Sequence, residues 1–204
     1  WLIPAAIEAL GDDGMKWNAD WAKEILCRIG DETIPALEAA LLSEDYQRRQ
    51  VAAGILRRRA DADPTRRWRW YAVPATADYR PSDNLLRVTV EGLGDDDLTY
   101  SCCTQNARDG FEFLLGYGDR IEPFVREGLE QDDVQRKGLC AVLAGVCGLD
   151  GLTEMTGPLL VGHLRHDGVR ENAKSAIVGL RSMGRPAVKH LQRVWDSPDR
   201  QQRT

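Results

Sequence analysis

Long apolar runs are missing from this sequence. No stretch approaches the 18 or so apolar residues that a membrane-spanning helix needs, and the opening residues WLIPAAIEALGDD lack the basic segment that begins a signal peptide. With 19 glycines and 9 prolines among 204 residues, a collagen-like or low-complexity chain is also excluded. We therefore expect a globular protein with neither a membrane span nor a signal peptide.

The signature motifs of common enzymes are absent as well. The sequence has no G-x-S-x-G, P-loop, H-E-x-x-H or dinucleotide-binding fingerprint. Asp95, Asp96 and Asp97 form a cluster that would suit a divalent cation, but capping of a helix N-terminus explains them without a metal. His163 and His166 have the spacing of half a metal site, but no third ligand is in view. We expect no catalytic residue, no cofactor and no metal.

The five cysteines are an odd number and contain no C-x-x-C pair. They lie within apolar helical patterns, so we interpret them as reduced thiols that pack as small apolar residues in a cytoplasmic protein. They are Cys27, Cys102, Cys103, Cys140 and Cys147.

Four segments share one pattern, which indicates a repeat. Each has a proline near its start, a leucine six residues later and an aspartate eight to ten residues after the proline. The prolines are spaced 31, 88 and 35 residues apart, and the gap of 88 fits two repeats plus an insertion. The prolines are Pro4, Pro35, Pro123 and Pro158, and the leucines are Leu10, Leu41, Leu129 and Leu164.

A second apolar stretch with helical spacing follows each aspartate. The clearest combines Val169, Ala173, Ala176, Ile177 and Leu180 on one predicted face, and Val134, Gly138, Val142 and Val146 form its counterpart in the preceding unit. We expect Leu164, Ala176 and Leu180 to be buried.

Particular residues mark the ends of the predicted helices. Glycines in a left-handed conformation are expected to end the second helices, and prolines in the first turn to begin the next unit. Aspartates are expected to cap the second helices. Arginines in the first turn of those helices are expected to pair with the aspartates and so to brace neighbouring turns. The glycines are Gly30, Gly148 and Gly184; the prolines are Pro35, Pro158 and Pro186; the aspartates are Asp13, Asp45, Asp132 and Asp167; the arginines are Arg49, Arg136 and Arg170.

This unit, seen best in GPLLVGHLRHDGVRENAKSAIVGL, resembles the HEAT repeats of the short bacterial kind, which bilin lyases of the phycobilisome-lyase type share. The resemblance covers about residues 2–59 and 119–196. It implies an all-α, right-handed α-solenoid of about five helix pairs plus a terminal helix, with a protein as the commonest ligand. A two-helix unit cannot bury its apolar face alone, so the units must stack. The whole chain is then one domain, with units at about 2–30, 33–59, 81–118, 119–148 and 153–184, a terminal helix at 185–196 and an insertion at 60–80.

The middle unit departs from the pattern. DNLLRVTVEGLGDDD fits a helix only if tertiary packing overrides Val88, Thr89 and Val90, which prefer strands. The stretch TYSCCTQNARDGFEFLLGYG would then form its second helix.

The insertion and the helix before it carry a local excess of positive charge in an acidic chain. The chain has a formal charge of −5, but residues 46–80 contain nine arginines against three aspartates. Arginine interleaved with tryptophan suits an interaction surface. We predict a partner-binding site formed by Arg57, Arg58, Arg66, Arg67, Trp68, Arg69, Trp70 and Tyr71.

Three interpretations of this site remain open: the tryptophans pack the loop onto the repeats, the site binds an acidic protein surface, or it binds nucleic acid. The expected function is a non-catalytic scaffold that binds another protein in a bacterial cytoplasm. The alternative is a DNA-binding protein related to the HEAT-like alkylpurine DNA glycosylases, for which no catalytic motif is evident. A third possibility is a bilin lyase or one of its relatives, which no residue of the sequence selects. The oligomeric state is left open.

Overall fold

A computed structural model describes residues 1–11, 16–60, 76, 78–94, 103–164 and 170–196, with side chains at 16–17, 103–105 and 170–173 left undescribed. Within these ranges all regular secondary structure is helical and no strand occurs, so the predicted all-α class is confirmed. The chain divides into two compact units, Trp1–Thr89 and Val90–Thr204.

The first unit contains four helices and most of a fifth. They are α1 (Leu2–Ala9), α2 (Lys16–Ile29), α3 (Ile34–Ala40), α4 (Tyr46–Ala60) and α5 (Asp83–Glu91), with a short 3₁₀ turn at Asp31–Thr33. Helix α5 confirms that tertiary packing overrides the strand preference of Val88, Thr89 and Val90.

The second unit contains the remaining helices of the described chain. They are α6 (Cys103–Leu114), α7 (Glu122–Glu130), α8 (Val134–Cys147), α9 (Thr153–His163), α10 (Arg170–Met183) and α11 (Arg185–Trp195), with 3₁₀ turns at Gly92–Gly94, Leu115–Ile121 and Asp150–Leu152.

Both units follow the same packing order. In the first, α1 contacts α2, α3 and α4, and α3 contacts α4. In the second, α8 contacts α7, α9 and α10, and α9 contacts α10 and α11. Helix α1 therefore packs on its partner α2 and on the pair α3–α4, and α8 packs on its partner α7 and on the pair α9–α10. The largest fully buried apolar residues of the two cores include Leu10, Leu26, Leu37, Ile55 and Leu56 in the first unit, and Leu114, Ile121 and Leu143 in the second.

The predicted glycines follow the second helices of the pairs, as expected. Gly30, Gly148 and Gly184 have φ angles of 93°, 68° and 65°. Gly148 alone is in the left-handed helical region, with ψ at 37°, whereas Gly30 and Gly184 have ψ angles of −148° and −131°. Positive φ with such ψ is essentially restricted to glycine, so these two stops tolerate substitution least. Gly118, at φ 48°, is a further stop that the pattern did not reveal.

The predicted caps are confirmed in one pair and shifted by a residue in another. The carboxylate of Asp45 accepts the backbone N–H of Arg48 at 2.9 Å. At α8, Asp133 accepts the N–H of Arg136 at 2.7 Å, whereas the predicted cap, Asp132, is exposed. Only the residue directly before the first helical position reaches that N–H, so the choice of Asp132 was wrong. Asp13 and Asp167 lie outside the described residues.

The predicted arginine brace is also displaced in the first unit. Arg136 does pair with an aspartate, but with Asp133 at 3.9 Å and not with the predicted Asp132. The corresponding position is held by Arg48, not the predicted Arg49, and its Nη2 donates to Oε1 of Glu8 at 3.0 Å. One residue along a helix is a rotation of about 100°. Arg49 therefore points elsewhere and donates to the carbonyl of Ser43 at 2.7 Å. The side chain of Arg170 is not described.

The predicted apolar stripes are only partly buried. Ala176 and Leu180 are buried as expected, but Leu164 is half-buried and Ile177 is exposed. In α8, Gly138 and Val142 are buried, whereas Val134 and Val146 are exposed. The residues at the edge of each stripe are exposed because none of the described helices covers them.

Among the prolines predicted to begin helices, Pro158 differs from expectation. Helix α9 already begins at Thr153, so Pro158 lies inside the helix and not in its first turn. Pro35, Pro123 and Pro186 do lie at the starts of their helices.

Candidate partner-binding site

The predicted site begins on the last turn of α4. Arg57 and Arg58 lie there, and the remaining six residues fall in the segment 61–75, which lies outside the described residues. Those six are Arg66, Arg67, Trp68, Arg69, Trp70 and Tyr71. Arg57 is only 6% exposed and Arg58 is half-buried, so this turn is largely packed into the first unit.

Arg59, the next residue, is the largest fully buried side chain of the described chain, at 1% exposure. Its Nη1 pairs with Oδ1 of Asp31 at 2.9 Å, and its Nη2 donates to the carbonyl of Cys27 at 3.1 Å. A buried guanidinium is costly unless it is paired and hydrogen-bonded, and these partners provide both. Arg59 therefore fixes the end of α4 to the end of α2.

The chain returns to the same place after the segment 61–75. The backbone N–H of Thr76 donates to the carbonyl of Arg59 at 2.9 Å. The hydroxyl of Thr76 donates to Oδ1 of Asp31 at 2.6 Å, so a single carboxylate oxygen accepts from both sides of the segment. The residues that flank 61–75 are thus held together at one point of the first unit.

A second anchor follows at Glu38 of α3. The hydroxyls of Tyr79 and Ser82 donate to the two oxygens of this carboxylate, the latter at 2.7 Å. The Ser82 oxygen also accepts the N–H of Leu85 at 3.1 Å, which caps the start of α5. Residues 76–82 are therefore tied to the first unit at two carboxylates.

None of these anchor residues was identified from the sequence. The paired residues are 28 to 45 positions apart in the sequence, and no motif connects them. The pairs are Arg59–Asp31, Thr76–Asp31 and Tyr79–Glu38. The only available signal was the excess of arginine around Arg59.

The arrangement suits binding more than catalysis. The segment between the anchors contains three arginines, two tryptophans and a tyrosine. Arginine forms paired hydrogen bonds with carboxylates, and the aromatic rings add apolar contact area at low conformational cost. A partner would meet these groups on a segment whose two ends are already fixed.

The described thiols are poor nucleophiles. Burial raises the pKa of the Cys27 thiol, although Arg58 and Arg59 act in the opposite direction. Burial raises the pKa of Cys140 to about 12 and also raises that of the half-buried Cys147. All three are free thiols, which agrees with their interpretation as reduced cysteines. Cys102 and the side chain of Cys103 lie outside the description.

The second unit has an open groove beside α7. It is lined by Asp119, Glu122, Pro123, Arg126, Glu127 and Glu130. The guanidinium of Arg126 pairs with Glu122 at 2.9 Å, which leaves the groove with an excess of carboxylates. This surface does not suit an acidic partner.

Metal ligands do not converge in the part of the chain that is described. No group of three His, Cys, Asp or Glu side chains is found there, and Asp95–Asp97 and His166 fall outside it. The half-buried ring of His163 packs against Gly138.

Among the described helices, none is long and apolar enough to cross a bilayer. A search of protein-family profiles finds no match for the chain, and a search of curated proteins finds no significant relative.

Proposed function

We propose that the chain is a HEAT-like right-handed α-solenoid of about five helix pairs plus a terminal helix, and that it is a non-catalytic scaffold. Its partner is another protein with an acidic surface, bound through the segment that contains Arg66, Arg67, Trp68, Arg69, Trp70 and Tyr71, with Arg57 and Arg58 at its base. The reduced thiols favour a cytoplasmic location.

A structural detail that recurs in both units supports the repeat architecture. A Cβ on Gly11 would lie 2.8 Å from Cγ of Asp45 and 3.3 Å from Nε of Arg48. A Cβ on Gly94 would lie 2.9 Å from Cγ of Asp133 and 3.0 Å from Nε of Arg136. In each case the capping aspartate and its arginine lie against a glycine that follows an earlier helix.

This glycine–aspartate–arginine contact is what a repeat requires. The turn of one helix pair packs on the turn of the pair before it, and glycine leaves room for the carboxylate and the guanidinium. Among the residues that the structure describes, the contact is found once in each compact unit.

The anchor at Asp31 is the single observation that carries the binding proposal. A fully buried Arg59 and the hydroxyl of Thr76 share one carboxylate, so the residues on either side of the segment 61–75 meet at one point of the first unit. A binding segment whose two ends are held loses less conformational entropy on binding than one with free ends. A loop on a rigid base is a common way to present binding residues.

The charge distribution favours protein over DNA as the partner. Outside residues 46–80 the sequence has 18 basic and 29 acidic residues, a balance of −11 that would repel a DNA track.

Binding to two labelled probes tests the proposal. One is a proline-rich acidic peptide containing aromatic residues, which cannot form a helix, and the other is a 20-base-pair DNA duplex. We expect the peptide to bind and the triple variant Arg66→Glu, Arg67→Glu, Arg69→Glu to lose at least about tenfold in affinity.

A triple variant of equal charge change provides the control. Arg87, Arg108 and Arg120 are exposed and belong to none of the anchors, so their replacement by glutamate should leave peptide affinity within about twofold. Binding of the duplex in preference to the peptide, with a steep loss of affinity as salt rises, would overturn the proposal in favour of a nucleic-acid function.

A further inference from the structure

Helices α8 and α10 are equivalent elements of successive pairs. Each has 14 residues and each is followed by a stop glycine, Gly148 or Gly184, so positions correspond at a spacing of 36. On this correspondence Ala141 matches Ile177, and Val142 matches Val178.

The α8 side of this comparison is covered. Ala141 and Val142 are buried. A Cβ on Gly145 would lie 2.6 Å from the carbonyl oxygen of Gly179 in α10, and a Cβ on Gly179 would lie 3.3 Å from Cα of Val142. Helix α10 therefore packs directly on this face of α8.

The matching face of α10 is open. Ile177 is 55% exposed and Val178 is 52% exposed, and Arg181 takes the place that Gly145 has in α8. In α10 two large apolar side chains thus face solvent at positions that α8 uses to receive a helix.

Helix α11 contacts α10 and adds its own apolar stripe. Val188, Leu191 and Trp195 recur at helical spacing on one face and are all exposed, Trp195 at 73%. We call the exposed apolar residues Ile177, Val178, Val188, Leu191 and Trp195 the α10–α11 face. Several large apolar side chains exposed on two contacting helices indicate an interaction site.

Basic residues flank this face. Arg185, Lys189 and Arg193 recur every fourth residue along α11, and Arg185 is the one nearest the apolar stripe, about 60° from Val188 on the helical wheel. All three are exposed, as is Arg181 on α10, and Lys189 pairs with Glu154. From 174 to 195 the sequence contains no acidic residue at all.

We propose that the α10–α11 face binds an amphipathic helix of another protein, one with an apolar stripe and acidic residues beside it. The helical form follows from α8, where the equivalent face receives a helix. The acidic flank follows from charge complementarity with the arginines and Lys189. This surface is independent of the site proposed in residues 57–71.

Two other occupants fit less well. A second copy that packs face to face would bring the two basic flanks together, and like charges across an interface are unfavourable. Residues 197–204, SPDRQQRT, contain no aliphatic or aromatic side chain apart from the ring of Pro198, so they offer nothing to cover the stripe.

Fluorescence anisotropy with a designed probe tests the proposal. The probe is a 14-residue helical peptide with a leucine and alanine stripe flanked by glutamates, and its counterpart carries lysines in place of the glutamates. We expect the acidic peptide to bind at least about tenfold more tightly than the basic one. Replacing Leu191 and Trp195 by serine should lower that affinity at least about tenfold, because these side chains form the apolar contact.

Charge variants and matched controls complete the test. Arg185→Glu with Arg193→Glu should remove the preference for the acidic peptide, whereas Arg28→Glu with Arg108→Glu should not. Leu42→Ser, at another exposed leucine, should have no effect. The triple variant at Arg66, Arg67 and Arg69 should bind the acidic helix normally, so this proposal and the proposed function fail separately.

Three results would overturn the inference. The first is absence of binding by either peptide, and the second is equal binding of both. The third is a dimer in sedimentation equilibrium that Leu191→Ser dissociates, which would make a second copy the occupant.

Discussion

Helices α8 and α10 have the same length, end at equivalent glycines and occupy successive pairs, yet they differ in burial. Helix α8 is covered by α7, α9 and α10, and half of its 14 residues are buried. Helix α10 buries Ala176, Gly179 and Leu180 but exposes Ile177 and Val178. The periodic pattern therefore specifies a helix and an apolar surface, while a neighbouring element decides which part of that surface is buried.

The largest expected effect is a difference in stability between substitutions on the buried face and on the exposed face of α10. Leu180→Ala should lower the free energy of unfolding by about 2 to 5 kcal/mol, because it removes a buried side chain and leaves a cavity. Ile177→Ala should cost less than about 1 kcal/mol, since Ile177 is half exposed to solvent. Urea unfolding of both variants measures the difference, and equal costs would show that the face containing Ile177 is covered.

A second variant addresses the close crossing of α8 and α10. Gly145→Ala should destabilise by about 1 to 3 kcal/mol, because the new methyl group meets the backbone of Gly179. The better helix propensity of alanine offsets part of this cost. At the equivalent position in α10, Arg181→Ala should stay within about 0.5 kcal/mol. Thermal unfolding tests the pair, and a stabilised Gly145→Ala variant would contradict the crossing described here.

The capping aspartates provide a smaller effect that compares the two units. Asp45→Ala and Asp133→Ala should each cost about 1 kcal/mol, because each removes the acceptor for an N–H in the first turn of its helix. Asp132→Ala is the matched control and should cost less than about 0.5 kcal/mol. A larger loss of stability for Asp132→Ala than for Asp133→Ala, measured by chemical denaturation, would show that Asp132 is the cap of α8.

These variants also show how much of the structure was predictable. The glycine stops at Gly30, Gly148 and Gly184 and the cap at Asp45 follow from local backbone chemistry, and they were predicted. The choices between Asp132 and Asp133 and between Arg48 and Arg49 depend on one residue of register, which adjacent identical residues do not specify. The anchor at Arg59, Asp31 and Thr76 was not predictable, because it joins residues that are distant in sequence and share no motif.

The smallest expected effect concerns pH. Burial lowers the pKa of His190, with Lys189 and Arg193 acting in the same direction, and its ring packs on Gly157 of α9, which also carries Glu154. The folded state therefore binds a proton less readily than the unfolded state, whose histidine has a pKa near 6.5. The preference of the folded state for neutral His190 therefore has its full stabilising effect above about pH 6.5. That effect is lost, and the free energy of unfolding decreases, as the pH falls towards the lowered pKa.

His190→Gln should remove that part of the pH dependence. Free energies of unfolding for both proteins between pH 5 and pH 8 provide the measurement, and their difference isolates His190 from the other groups that titrate. A difference that does not vary with pH would mean that His190 has the same pKa in both states.

Hydrogen exchange followed by mass spectrometry tests most directly the claim that α8 and α10 are equivalent helices that differ in what covers them. Without a partner, amides in the middle of α8 should exchange at least about tenfold more slowly than those at matching positions in α10, because covered helices open less often. Adding the acidic amphipathic peptide should slow exchange in α10 and α11 and leave α8 unchanged. Equal exchange in the two helices without peptide, or slowing by the peptide in residues 46–80 and not in α10 and α11, would contradict the account.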